Sequence, residues 1–132
     1  VDMIDKSPYG MISHHMLHLP EIKYSKKKLV DYISPTTEMM EDGQFVAGIQ
    51  MMRKNTHTIH LVDEWYRIAC MHEMIDDVID TDENARFIDH RHDQSIYSLL
   101  VKKYGTVSIP DETYFENWSM GLKFPFLATR II

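Results

Sequence analysis

Two hydrophobic periods succeed one another along the chain, and each change of period marks an element. Tyr9 to Met16 is a short, β-compatible, largely apolar run after the turn signal Ser7-Pro8, which predicts a first strand. Ser25 is a helix-capping residue type, and Lys26 to Ile33 then places Leu29, Val30 and Ile33 on one face before Pro35, predicting a short amphipathic helix. Thr36 to Asp42 reads as one more helical turn, ended by Gly43. Gln44 to Met52 is nearly continuous in apolar character between Gly43 and Arg53-Lys54-Asn55, the pattern of a central strand buried on both faces. Gly48 weakens such a strand unless something approaches its backbone closely, and so becomes a candidate site residue.

Asn55 or Thr56 caps the longest predicted helix, which runs to about Met71 with Ile59, Val62, Trp65 or Tyr66, and Ala69 on its core face. Asp76 to Asn84 is acid-rich and without period, and predicts a long loop. Asp93 caps a helix over Gln94 to Tyr104, with Ile96, Leu99 and Leu100 in register and Gly105 past its end. Thr106 to Ile109 is a short strand stopped by Pro110. From Asp111 to Ile132 the aromatics Tyr114, Phe115, Trp118, Phe124 and Phe126 surround Pro125 in a pattern of neither helix nor strand, so this tail is expected to wrap the body and build a pocket wall. The order of elements is that of an α/β domain, a layered sheet with flanking helices.

Composition narrows the partners. At 132 residues with 44% hydrophobic and 26% charged, residues 1–132 have the size of a single domain or part of one, and can bury roughly two-thirds of the unfolded chain's surface. A net charge of −6 offers no footprint for nucleic acid. The one basic run, Lys23 with Lys26 to Lys28, reads as a solvated helix face. A lone cysteine, Cys70, and the absence of a secretory start favour a reducing, cytoplasmic setting, and no apolar run reaches the ~18 residues of a membrane span. The chain begins with Val1 rather than Met, as a piece of a longer polypeptide would.

The densest group of chemically capable residues is Asp89-His90-Arg91-His92-Asp93-Gln94-Ser95, at a loop-to-helix junction whose free N–H groups and dipole suit an anion. If this stretch is extended, His90 and His92 point to one side and are able to share a cation. The plainer alternative is that Asp93 only caps the helix, Arg91 pairs with a loop acid, and the histidines are solvated or satisfied in the core. A second histidine run, His14-His15 with His18, reads as ordinary side chains at a strand end. The acidic loop lacks the spacing of a calcium site, and Cys70 has no local base.

The block Phe87 to Leu100, followed by Lys102-Lys103-Tyr104-Gly105, closely resembles a segment of a group of bacterial and giant-virus glycosyltransferases that use nucleotide-diphospho-sugars and have the GT-A fold. Tyr24-Ser25-Lys26, Gly43 to Ile49 with Arg53-Lys54-Asn55, and Asp111 to Phe115 before Pro125 to Arg130 agree in order, so the resemblance spans most of the chain. The middle segment also resembles, more distantly, the Asn-Ala-Gly-Val strand of glycogenin-like and lipooligosaccharide galactosyltransferases, with Val46 standing where those relatives carry Asn.

The resemblance implies the C-terminal, acceptor-side part of a GT-A domain, with a nucleotide-diphospho-sugar donor and a carbohydrate acceptor. It further implies Asp93 and Gln94 as catalytic residues that orient the sugar, Ala47, Gly48, Arg91 and Ser95 as substrate-binding residues, and His90 and His92 as contributors to a Mn²⁺ or Mg²⁺ site. The main metal ligands, an Asp-x-Asp strand end, have no counterpart before Tyr9 and are expected upstream of Val1. Two other classes compete: a noncatalytic α/β binding or assembly module that forms a homo-oligomer through an exposed edge, and a histidine-based metal hydrolase.

Overall fold

A computed structural model describes residues 2–128. It contains α1 (Asp2–Lys6), β1 (Met11–Pro20), α2 (Glu21–Tyr24), α3 (Lys27–Ile33), α4 (Thr37–Glu41), β2 (Gly43–Phe45), β3 (Met51–Met52), α5 (Thr56–Ala69), α6 (His72–Ile75), α7 (His92–Tyr104), β4 (Val107–Pro110) and α8 (Trp118–Gly121). The class is mixed α/β, with an open four-stranded sheet and flanking helices.

The centre of the sheet is β1. Ile12 is paired with both Met51 and Val107, and His15 with both Phe45 and Pro110. A strand has two edges, so β4 holds one in parallel while β2 and β3 share the other as antiparallel pieces of one interrupted ribbon. This corrects the expectation of a continuous central strand over Gln44 to Met52: the chain leaves the sheet at Val46 and returns at Met51. The reason lies partly in Gln50, whose Nε2 donates to the Ala47 carbonyl at 2.9 Å and closes a local turn in place of ladder pairing.

The helix ends follow local chemistry. Asn55 accepts from the Thr58 N–H at 2.9 Å while Thr58 Oγ1 accepts from the Asn55 N–H at 3.0 Å, a reciprocal cap that starts α5. Thr36 caps α4 from one side only, accepting from the Met39 N–H at 3.2 Å. Ser25 does not cap α3; its hydroxyl turns to Glu21, and the α3 cap is Lys26. The free Lys27 N–H is taken instead by the Glu83 carboxylate at 2.8 Å, which ties the acidic loop to the helix. Asp93 likewise lies inside α7, whose N-cap is Arg91.

The core joins Met11 of β1 and Phe45 of β2 to Leu29, Leu61, Tyr97 and Leu99 from the helices. Through Ser95–Val101 every α7 residue is buried, so this helix is enclosed on all sides, between β2, α5 and α6. The register of α5 agrees with expectation only in part: Trp65 and Ala69 pack against the core, but Thr58, Leu61 and Ile68 are its buried residues, whereas Ile59, Val62 and Tyr66 are exposed. Two apolar stripes run along this helix, and periodicity alone does not say which one the core takes. Lys26, expected in a solvated face, is buried, with Nζ 2.6 Å from Asp76 Oδ1.

Candidate functional site

A cleft of about 330 Å³ opens where the second half of β1 meets the start of α7 and the tail. Its walls are Met16, His18 and Leu19, then Val46, then Arg91 and Gln94, and finally Asp111, Thr113, Tyr114 and Ala128. The tail therefore builds one wall, held by the Ala128 N–H bonding to the Thr113 carbonyl at 2.5 Å and by Asp111 Oδ1, which accepts from the Thr113 N–H at 2.9 Å and from its hydroxyl at 2.7 Å. The tail's last residues, 129–132, lie outside the described residues.

Beneath the cleft lies a buried polar network that the sequence did not reveal. Glu21 and Gln44 are both 0% exposed. Glu21 Oε1 accepts from Lys102 Nζ at 2.9 Å and from the Ser98 hydroxyl; Oε2 accepts from Ser25 Oγ at 2.6 Å and from Gln44 Nε2 at 3.0 Å. Lys102, 5% exposed at its side chain, also donates to the Asp42 carbonyl at 3.2 Å and the Met39 carbonyl at 3.3 Å. Ser95 Oγ donates to the Tyr24 carbonyl at 2.7 Å and accepts from Gln44 Nε2 at 3.1 Å and the Arg91 N–H at 3.2 Å. Buried polar groups of this kind persist only when their partners are supplied.

The expected site residues separate into three groups. Gln94 and Arg91 line the cleft, and Gln94 Nε2 donates to Gln44 Oε1 at 2.9 Å. The Arg91 guanidinium stacks on the Tyr24 ring 4.8 Å from its centroid, and no carboxylate among the described residues lies within ion-pair distance of it. Asp93 is exposed, faces a shallow neighbouring depression with Asp89 and His92, and offers its backbone carbonyl to Trp65 Nε1 at 3.0 Å. Ala47, Gly48 and Ser95 do not reach the cleft: Ala47 packs against the core, a Cβ on Gly48 would meet only open space, and Ser95 is buried with its hydroxyl fully used. Gly43 is the glycine the backbone needs, since a Cβ there would lie 2.2 Å from the Met16 carbonyl oxygen.

His90 and His92 also part company. Their rings are 5.5 Å apart, but His90 is buried and spends both nitrogens: Nε2 donates to the Met74 carbonyl at 2.8 Å and Nδ1 accepts from the Lys26 N–H at 3.3 Å. It has no nitrogen left for a cation, because the buried end of α6 and the start of α3 both require one. His92 is half exposed and meets Asp77 Oδ1 at 2.7 Å. That pair supplies one nitrogen and one carboxylate, short of the six or so mainly oxygen donors that Mg²⁺ or Mn²⁺ takes. Among the described residues no group of three or more His, Cys, Asp or Glu is placed to hold a metal ion, and no step is assigned to one.

No family model, curated protein or solved structure matches the chain. The site is thus argued from its own geometry. No described helix is long and apolar enough to cross a membrane.

Burial, above all, and the nearby Lys26 charge push the His90 imidazole below its usual range, against a smaller opposing effect from the Met74 carbonyl. The folded state therefore holds His90 neutral where an unfolded chain, with a histidine near ~6.5, already binds a proton. Below that pH the unfolded state takes up more protons, so the His90 contribution to stability, complete above ~6.5, declines as acid approaches the lowered folded value. Thermal midpoints measured from neutral to mildly acidic pH are expected to fall, and to fall less steeply in His90→Gln, whose amide keeps a donor and an acceptor without titrating. Equal slopes would remove His90 as the cause.

Proposed function

We propose that this chain is part of a glycosyltransferase that moves a sugar from a nucleotide diphosphate to an acceptor hydroxyl. The reading is carried by one observation: the Gln94–Gln44 hydrogen bond joins the two segments whose sequences resemble such enzymes, the 87–105 block and the Gly43 to Asn55 segment, at the wall of a single cleft. In the reaction the acceptor oxygen attacks the anomeric carbon and gives up its proton, while the bond from that carbon to the diphosphate oxygen breaks and the diphosphate leaves with the electron pair.

This chain's contribution is to bind and orient. Gln94 offers its remaining amide groups to a ring hydroxyl. Arg91, stacked in place and without an acid partner among the described residues, is available to an oxyanion such as the departing diphosphate. Tyr114, 56% exposed at the cleft wall, offers a ring face to a sugar. Asp93 stands at the adjoining depression rather than in the cleft, which makes it the weaker of the two residues expected to be catalytic.

The test is release of nucleoside diphosphate from a panel of nucleotide-diphospho-sugars, with Mn²⁺ supplied, by the protein in its full natural length. Gln94→Met is expected to lower kcat/KM about tenfold or more, the loss of one hydrogen bond to substrate. Unchanged turnover would displace the site. No turnover of any donor would reject the function.

The noncatalytic module is favoured by a separate feature, the exposed stripe Ile59, Val62 and Tyr66 on α5. Sedimentation velocity discriminates: a monomer at all concentrations removes self-assembly as the role of that stripe. The histidine hydrolase loses its first ligand with His90.

A further inference from the structure

The polarity of Gln94 is set from inside the protein. A glutamine amide offers a carbonyl oxygen on one side and an NH₂ group on the other, and which side faces a partner follows from the groups around it. Four acceptors lie within reach of Gln44 Nε2, and two of them are close. One is Glu21 Oε2, at 3.0 Å. The other is Ser95 Oγ, at 3.1 Å, whose single proton already goes to the Tyr24 carbonyl. Both require an N–H, so Gln44 turns its NH₂ inward and its carbonyl outward. Gln94 must then donate to that carbonyl, at 2.9 Å. Its own carbonyl oxygen and the second proton of its NH₂ group are left without a partner among the described residues, on the side chain that lines the cleft.

We infer that Glu21 and Gln44 act as positioning residues, a buried relay that fixes the turn of the Gln94 amide and keeps its carbonyl oxygen free as an acceptor, so that the group this oxygen reads is a donor such as a sugar hydroxyl. The Glu21 carboxylate gives the relay its direction and Lys102 secures that carboxylate from the far side. Ser95 is the second anchor of Gln44, which accounts for a residue that faces no ligand. The relay rests on the transferase reading for the identity of the ligand, though not for the orientation of the amide.

Two readouts test it and separate its failure from that reading's. The first needs no substrate. In the chain itself, the side-chain amide of Gln94 is expected to give resolved NMR signals with one slowly exchanging proton, and Gln44→Met is expected to return that proton to fast exchange while the backbone spectrum of β1 and α7 persists. A Gln94 amide as fast in the parent chain as in the variant overturns the relay.

The second readout is a double-mutant cycle on nucleotide-sugar turnover by the full-length protein. Gln44→Met and Gln94→Met are each expected to cost about tenfold in kcat/KM, and the two together about tenfold again rather than a hundredfold, because both remove the same contact. Multiplying losses would make Gln44 a structural residue only and overturn the relay while leaving the transferase standing. The exchange signature without turnover of any donor supports the relay and rejects the transferase. Within the turnover assay, a donor or acceptor whose critical hydroxyl is replaced by fluorine, which accepts but does not donate, is expected to be discriminated against by the parent and tolerated equally by Gln94→Met. Discrimination retained in Gln94→Met would overturn the assignment of the acceptor to Gln94.

Discussion

Replacement of Lys102 by Met is expected to lower the free energy of unfolding by about 3–5 kcal/mol, the cost typical of removing one partner from a buried ion pair. Glu21 is wholly buried, and among the described residues Lys102 is the one cation whose nitrogen lies within hydrogen-bond distance of its carboxylate, at 2.9 Å. The remaining bonds from Ser25, Ser98 and Gln44 solvate the charge without balancing it. The same substitution removes the Lys102 donor from the Met39 carbonyl, while the Asp42 carbonyl keeps the Glu21 N–H at 3.0 Å. The double variant Glu21→Gln/Lys102→Met removes both charges and is expected to recover much of the loss. Urea titration of the three proteins measures this directly. A single-variant loss below about 1 kcal/mol, the ordinary worth of a surface pair, would show that the site is wetter than its burial indicates.

A second large effect is expected at Gly43. An added Cβ would sit 2.2 Å from the Met16 carbonyl oxygen and 2.7 Å from Leu17 Cα, and these are backbone atoms of the central strand with no rotamer by which to move aside. Gly43→Ala is therefore expected to cost about 3 kcal/mol, the upper part of the range for overpacking. It also displaces the first residue before Gln44, so any activity should fall with stability. Gly48→Ala is the control: its Cβ meets nothing within 4 Å, and the change is expected to leave both properties nearly unaltered. If the two variants unfold alike, the close approach of β1 to β2 is misplaced.

The contrast between those glycines shows what the sequence could disclose. A glycine in an apolar run signals close approach, yet the signal does not say which of two neighbouring glycines is approached. Helices with strong end chemistry were legible: the Asn55 cap of α5 and the stop of α7 at Gly105 follow from residue types whose side chains, or lack of one, act within a few positions. Long-range pairings were not legible. Lys26 reads as part of a solvated basic face because charged residues usually are exposed, and only the fold brings Lys26 to Asp76 and Glu21 to Lys102.

The same limit applies to the site. The 89–95 cluster was conspicuous as a run of polar residues, but its members divide by environment: His90 and Ser95 turn inward to hold neighbouring loops, Asp93 and His92 face water, and Arg91 and Gln94 alone in that run line the cleft. Gln44 left no trace, being one amide in an apolar stretch. A buried amide beside a resembled motif, four residues before the expected site glycine, is the signal that would have pointed to it.

The placement of β1 has a kinetic consequence. Its antiparallel neighbours follow soon after it in the chain, whereas its parallel neighbour β4, Val107–Pro110, comes only after α5, α6 and α7. During synthesis one flank of the innermost strand stays bare until the helices from α2 to α7 have been made. Refolding from denaturant should accordingly be governed by that late closure, and slowed more by weakening the Ser13–Thr106 clasp than by trimming any helix cap.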